Sequence, residues 1–180
     1  MQPIQNTEHH TDRRIFMRVL GAAGVAVVFA GCGFKLRGSQ TFAFKTIAIM
    51  PVPGGAVAQQ LRRSFGSDVQ VLAADAPLAQ AQLVLDVGNE QRDKVVVGVN
   101  SSGQVREFQL RLRVTLQLRN AQGKELIDGA EILQQRDMSY NETAALAKEA
   151  EEVLVFRDMQ TDIVQQILRR LAAVQVTQLN

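Results

Sequence analysis

The chain has a single cysteine, Cys32, so no intramolecular disulfide can brace it. Histidine is almost as scarce. The two that occur, His9 and His10, both precede Cys32. Everything after Cys32 therefore lacks the commonest general base and the usual zinc ligands. No glycine-rich phosphate loop follows a strand pattern. Ser64, Ser67, Ser101, Ser102 and Ser139 have no histidine to activate them. Glu149, Glu151 and Glu152 fall in a helix-forming run, where they read as a solvated face. These absences argue against an enzyme, and no catalytic residue, metal ligand or cofactor is assigned. The net charge of +2 is too small to argue for nucleic acid, and the basic residues are not interleaved with surface aromatics. A long hydrophobic run is missing too: the uncharged stretch 19–29 is too short to span ~30 Å of hydrocarbon as a helix.

That short stretch has a purpose where it stands. Arg13, Arg14 and Arg18 precede it, giving a positive segment ahead of a modest apolar one, the pattern of an export signal. Arg13-Arg14 with Phe16 also resembles a twin-arginine signal, so the export route stays open, with the ordinary route favoured. Phe29-Ala30-Gly31-Cys32 resembles a lipobox, with Phe29 where leucine is more usual. Cys32 is thus the expected lipidated first residue. Each CH₂ placed in a bilayer contributes ~0.8 kcal/mol, so several acyl chains hold a protein firmly. Gly33 follows, with no aspartate close behind the cysteine, which points to the outer membrane. The expected organisation is a removed signal peptide at 1–31, a tether at 32–40, a domain at 41–175 and a tail at 176–180.

Past the tether, 42–50 reads as a strand ended by Pro51 and Pro53-Gly54-Gly55. A helix fits 56–65, with Val57, Leu61 and Phe65 on one face and Gly66 closing it. A brief strand at 69–72 follows. Leu83, Leu85 and Val87 share a parity with Val95, Val97 and Val99, either as one strand or as two broken near Asn89. The clearest strand is 108–119, apolar at every even position from Phe108 to Leu118 and polar at every odd one. A further strand spans 126–140. From Thr143 to near Val174 the pattern is helical, with Asn141 or Thr143 as the cap. The expected fold is α+β, with two helices packed on one face of a mostly antiparallel four-stranded sheet and Arg111 and Arg113 on the other face.

Several short segments, in order, resemble the LPS-assembly lipoprotein family, LptE. They are Gly31-Cys32-Gly33-Phe34-Lys35-Leu36-Arg37-Gly38, Gly103-Gln104 with Glu107-Phe108, and Ala145-Leu146-Ala147-Lys148. Arg157-Asp158-Met159 and Gln166-Ile167-Leu168-Arg169-Arg170-Leu171 complete the set. The resemblance implies a lipid-anchored outer-membrane protein that plugs an LptD-like β-barrel and contacts lipopolysaccharide. It implies a basic contact in the Ala-Leu-Ala-Lys segment, matched here by Lys148, and another beside the strand-connecting turn. At the second position this chain has Ser101, so the carry-over fails there and Arg106 is a nearby substitute. Arg111 and Arg113 are further candidates. Against contact by Lys148 stands simple pairing with Glu151 or Glu152 on its own helix. Competing functional readings are an auxiliary lipoprotein of an envelope lipid or solute transporter and a lipid-anchored hydrolase.

Overall fold

A computed structural model describes residues 40–179; the export signal, the lipobox and Cys32 lie outside them. In chain order the elements are β1 (Thr46–Met50), α1 (Ala56–Ser64), β2 (Gln70–Val71), β3 (Leu83–Val87), β4 (Gln91–Val99), β5 (Val105–Asn120), β6 (Glu125–Ser139) and α2 (Ala145–Ala172).

β5 is the spine. Its apolar even positions, Leu110 to Leu118, are all buried. β6 pairs with one edge of β5, and β3 and β4 follow one another along the other, all antiparallel. β1 then adds to β3 in parallel, and β2 to β1 in parallel. The sheet is therefore mixed and six-stranded, a correction to the four antiparallel strands expected. Two causes account for the difference. A parallel pair needs a long crossover, which the segment carrying α1 supplies between β1 and β2. β2, with two residues, is too short to carry a periodic signal.

The open question over 83–99 resolves into two strands. Val87 pairs with Leu116 and Gln91 with Arg113, so three residues, 88–90, stand against two on β5. One extra residue is a bulge, and it inverts the side-chain parity. Leu83, Leu85 and Val87 face the core. Lys94 and Arg92 take the core-side parity opposite Leu110 and Leu112, and Val95 stands opposite Gln109 on the other face. Val95, Val97 and Val99 do not join the core: they are 36%, 47% and 59% exposed.

Both helices pack on one face, over a core that includes Ile47, Ile49, Leu83, Leu85, Leu112 and Leu118. α1 contributes Val57 and Leu61. Its predicted third contact, Phe65, forms an aromatic cluster with Phe42 and Phe44, with centroids 5.3 and 6.4 Å away. Gly66 does not close α1 in a left-handed conformation; Phe65 is the cap. α2 buries Phe156, Met159, Ile163, Ile167 and Leu171, the stripe its spacing predicted. Asn141 caps the short turn Glu142–Ala144 ahead of α2, accepting from the Thr143 N–H at 3.1 Å. The segment expected as a tail forms a further turn at Val176–Gln178 and buries Leu179. Arg62 of α1 ties the loop after β1, donating to the carbonyls of Ile49 and Pro51 at 2.7 Å and to that of Pro53. Burial lowers its guanidinium pKa.

Candidate functional site

The β4–β5 turn is built by one side chain. Asn100 Oδ1 accepts from the N–H groups of Ser102 and Gln104 at 3.0 and 2.9 Å. Gly103 takes φ +78°, a conformation that needs glycine at this turn. Arg106 follows on the strand, and its carbonyl accepts the Tyr140 N–H at 2.7 Å. Next to Tyr140, Ser139 Oγ lies 3.2 Å from Lys148 Nζ. The fold thus gathers Arg106 and Lys148 at one end of the sheet. Arg106 lines a cleft of about 180 Å³ with Gln104, Val105, Asn141, Glu142 and Thr143. Its contact with Tyr140 is made by the carbonyl and leaves the guanidinium out. Lys148 is different: its Nζ lies 2.8 Å from Glu151 Oε2 and its side chain is 19% exposed. The pairing along the helix that competes with ligand contact is therefore formed.

Arg111 and Arg113 are not part of this grouping. They lie on the sheet face away from the helices, where Arg111 Nε donates to Gln109 Oε1 at 2.8 Å and Arg113 Nε stands 3.4 Å from Glu131 Oε1. The four sequence candidates fall into a pair at the tip and a pair on the open face.

Two cations escaped the sequence reading because the bulge inverts β4. Lys94 Nζ contacts Glu152 Oε2 of α2 at 2.6 Å and stands 4.4 Å from the Phe108 ring centroid. Arg92 sits over the Phe156 ring at 5.3 Å and contacts Glu90 Oε2 at 3.2 Å. The signal that could have found them is Gly88-Asn89-Glu90, where alternation fails. Among the described residues no group of three histidine, cysteine or acidic side chains could hold a metal ion. No described helix is long and apolar enough to cross a membrane.

Comparison with known proteins finds relatives of the whole domain. Residues 44–171 match the LptE family, described as lipopolysaccharide-assembly. The LPS-assembly lipoprotein LptE of Yersinia enterocolitica is 31% identical, over 92% of this chain and 79% of its own length. That of Pectobacterium atrosepticum is also 31% identical, over 92% and 89%. Among solved structures, an uncharacterized lipoprotein B from Nitrosomonas europaea is 33% identical, with a TM-score of 0.66 over 78% of this chain and 91% of that one. The rare lipoprotein B from Shewanella oneidensis shares the fold at 21% identity and a TM-score of 0.61, over 72% and 95%. With the family match covering most of the domain and relatives of this similarity over nearly the whole chain, the protein belongs to the LptE family of lipopolysaccharide-assembly lipoproteins, which are not enzymes.

Proposed function

We propose that the protein is anchored in the outer membrane by lipid on Cys32, seats inside an LptD-like β-barrel as a plug, and helps place lipopolysaccharide at the cell surface. The observation that carries this reading is the length and polarity of β5. Its sixteen residues extend about 50 Å at ~3.3 Å each, against ~30 Å for the hydrocarbon of a bilayer. At one end of the spine Asn120 pairs with Leu83, beside Ile47 at the start of β1. At the other end stand Arg106 and Lys148. A domain of this length, tethered to the inner leaflet and enclosed in a barrel, has the reach to present those cations near the outer leaflet. On the sheet face away from the helices β5 carries Gln109, Arg111, Arg113 and Gln117, polar groups suited to a hydrated lumen, beside the exposed Val95 of β4 and Leu133 of β6. The phosphates of lipid A need cations, and ammonium or guanidinium hydrogen bonds to phosphate are charge-assisted.

The test has two parts. Purification of the tagged protein in mild detergent should bring down a heat-modifiable β-barrel; recovery with an ATPase complex instead would assign the chain to a transporter. Binding of labelled lipopolysaccharide should fall in Lys148→Asp combined with Arg106→Asp, with circular dichroism unchanged. Unaltered binding in that variant would move the contact to Arg111 and Arg113.

A further inference from the structure

The first turns of α2 carry more charge than their packing requires. Lys148 Nζ is held by Glu151 Oε2 at 2.8 Å and lies 3.2 Å from Ser139 Oγ. Lys94 Nζ, reaching across from β4, is held by Glu152 Oε2 at 2.6 Å. Lys148 and Glu152 are one turn apart on the helix, with Cβ atoms roughly 5–6 Å apart. The two ion pairs therefore lie on neighbouring turns of α2, and the pair made by Lys94 joins sheet to helix. Lys94 has a second hold in the Phe108 ring, which keeps its ammonium in place without the carboxylate.

The helix that carries three of these charges is anchored unevenly. From Phe156 to Leu171 it buries eight side chains, and before Phe156 it buries none. Val155 packs partly against the core, while Leu146, Val153 and Leu154 are exposed. The first three turns thus depend on the ion pairs to a degree the rest of the helix does not. Such partly exposed pairs are individually weak and are screened by salt. A phosphorylated ligand, carrying more charge than one carboxylate and several acceptor oxygens, can take their place on the two ammonium groups.

We propose that Lys94 and Lys148 form a two-cation site for a phosphorylated headgroup, that Glu151 and Glu152 keep it closed, and that binding displaces the two carboxylates and releases the first three turns of α2. The proposal rests on the reading that this chain handles a phosphorylated glycolipid. It adds Lys94 to the contact and gives the helix a gating role. No covalent step is involved: the two carboxylates exchange lysine for water, and the phosphate exchanges water for lysine.

The experiment uses the full lipidated protein in mild detergent and follows backbone hydrogen exchange of 145–155 by mass spectrometry. The probes are bisphosphorylated lipid A, the same lipid stripped of phosphate, and inorganic phosphate. Lipid A should raise exchange of 145–155 several-fold and leave 156–171 unchanged; the stripped lipid should not. Glu151→Gln with Glu152→Gln should raise exchange without ligand and tighten lipid A binding roughly two- to fivefold. Lys94→Gln should weaken binding and raise exchange of 145–155 while 156–171 keeps its protection. The same opening by inorganic phosphate would support the site and assign its ligand as phosphate alone. Slowed or unchanged exchange on lipid A binding would overturn the gate, as would binding indifferent to all three substitutions. Capture of the barrel reads the plug assignment separately, so a failed gate with the barrel still captured leaves that assignment standing.

Discussion

Glu90 Oε1 accepts the backbone N–H of Val57 at 2.6 Å, so the bulge between β3 and β4 caps the first turn of α1. The local sequence cannot supply that cap. Gly55 stands at the N-cap position with no side chain to offer, and a Cβ there would approach Glu90 Oε1 to 2.9 Å. The other carboxylate oxygen accepts from Gln160 Nε2 of α2 at 2.8 Å and meets Arg92 at 3.2 Å. One side chain, 9% exposed, thus joins the sheet to both helices.

Glu90→Ala is expected to cost about 2–4 kcal/mol, the combined loss of a helix cap and of charge-assisted hydrogen bonds at a largely buried position. Glu90→Gln keeps one acceptor and should cost less. Thermal unfolding of the two variants checks the order, and an alanine variant as stable as the native protein would remove Glu90 from this role.

The two faces of β5 predict opposite responses at adjacent positions. Leu112 is fully buried, and Leu112→Asp places a carboxylate in the core, costing several kcal/mol of a total of roughly 5–15. Arg113 lies on the open face beside Glu131, so Arg113→Asp adds only exposed repulsion, under about 1 kcal/mol. Denaturant midpoints should separate the two widely; equal losses would mean the faces are assigned wrongly.

Gly88 donates its N–H to the Thr115 carbonyl at 2.8 Å, and a Cβ at this glycine would lie 2.1 Å from Thr115 Oγ1. Gly88→Ala should therefore destabilise by about 1–3 kcal/mol through overpacking. Removing the hydroxyl with Thr115→Ala should restore part of that loss. The double-mutant cycle is the measurement: strict additivity would show that the two side chains do not meet.

Lipidation at Cys32 is read directly by mass spectrometry of the membrane-extracted protein. The expected product begins at Cys32 with added acyl mass. Cys32→Ser should leave an unprocessed chain that no longer fractionates with the outer membrane. An intact Met1 on the native protein in that membrane would end the lipoprotein assignment for this residue.

Much of this fold could be read from the residues in order. β5 announces itself because each residue from Phe108 to Arg119 obeys one alternation, and α2 because Phe156, Met159, Ile163, Ile167 and Leu171 keep helical spacing. What stayed hidden depends on partners distant in sequence. Parallel addition of β1 to β3 is a property of the pair, and nothing within Thr46–Met50 distinguishes it from antiparallel pairing. The valines of β4 look like a continuation of Leu83, Leu85 and Val87 because parity was counted through 88–90, where the backbone takes an extra step. The candidate site shows the same divide. Lys148 with Glu151 is a local spacing and could be anticipated, whereas Lys94 with Glu152 joins a strand to a helix and could not.

The three residues between β3 and β4 also set a rule for which changes in chain length the domain can absorb. Connectors of this size ordinarily accept insertions and deletions, because they run over the surface and carry no register. Here the connector works as a reading frame. Deleting one residue would put β4 in step with β3, turning Val95, Val97 and Val99 toward the helices and carrying Arg92 and Lys94 to the opposite face. Adding or removing two would keep every side chain on its present face. Length changes at 88–90 should therefore be tolerated by parity and not by size, with a single-residue deletion more damaging than a two-residue insertion.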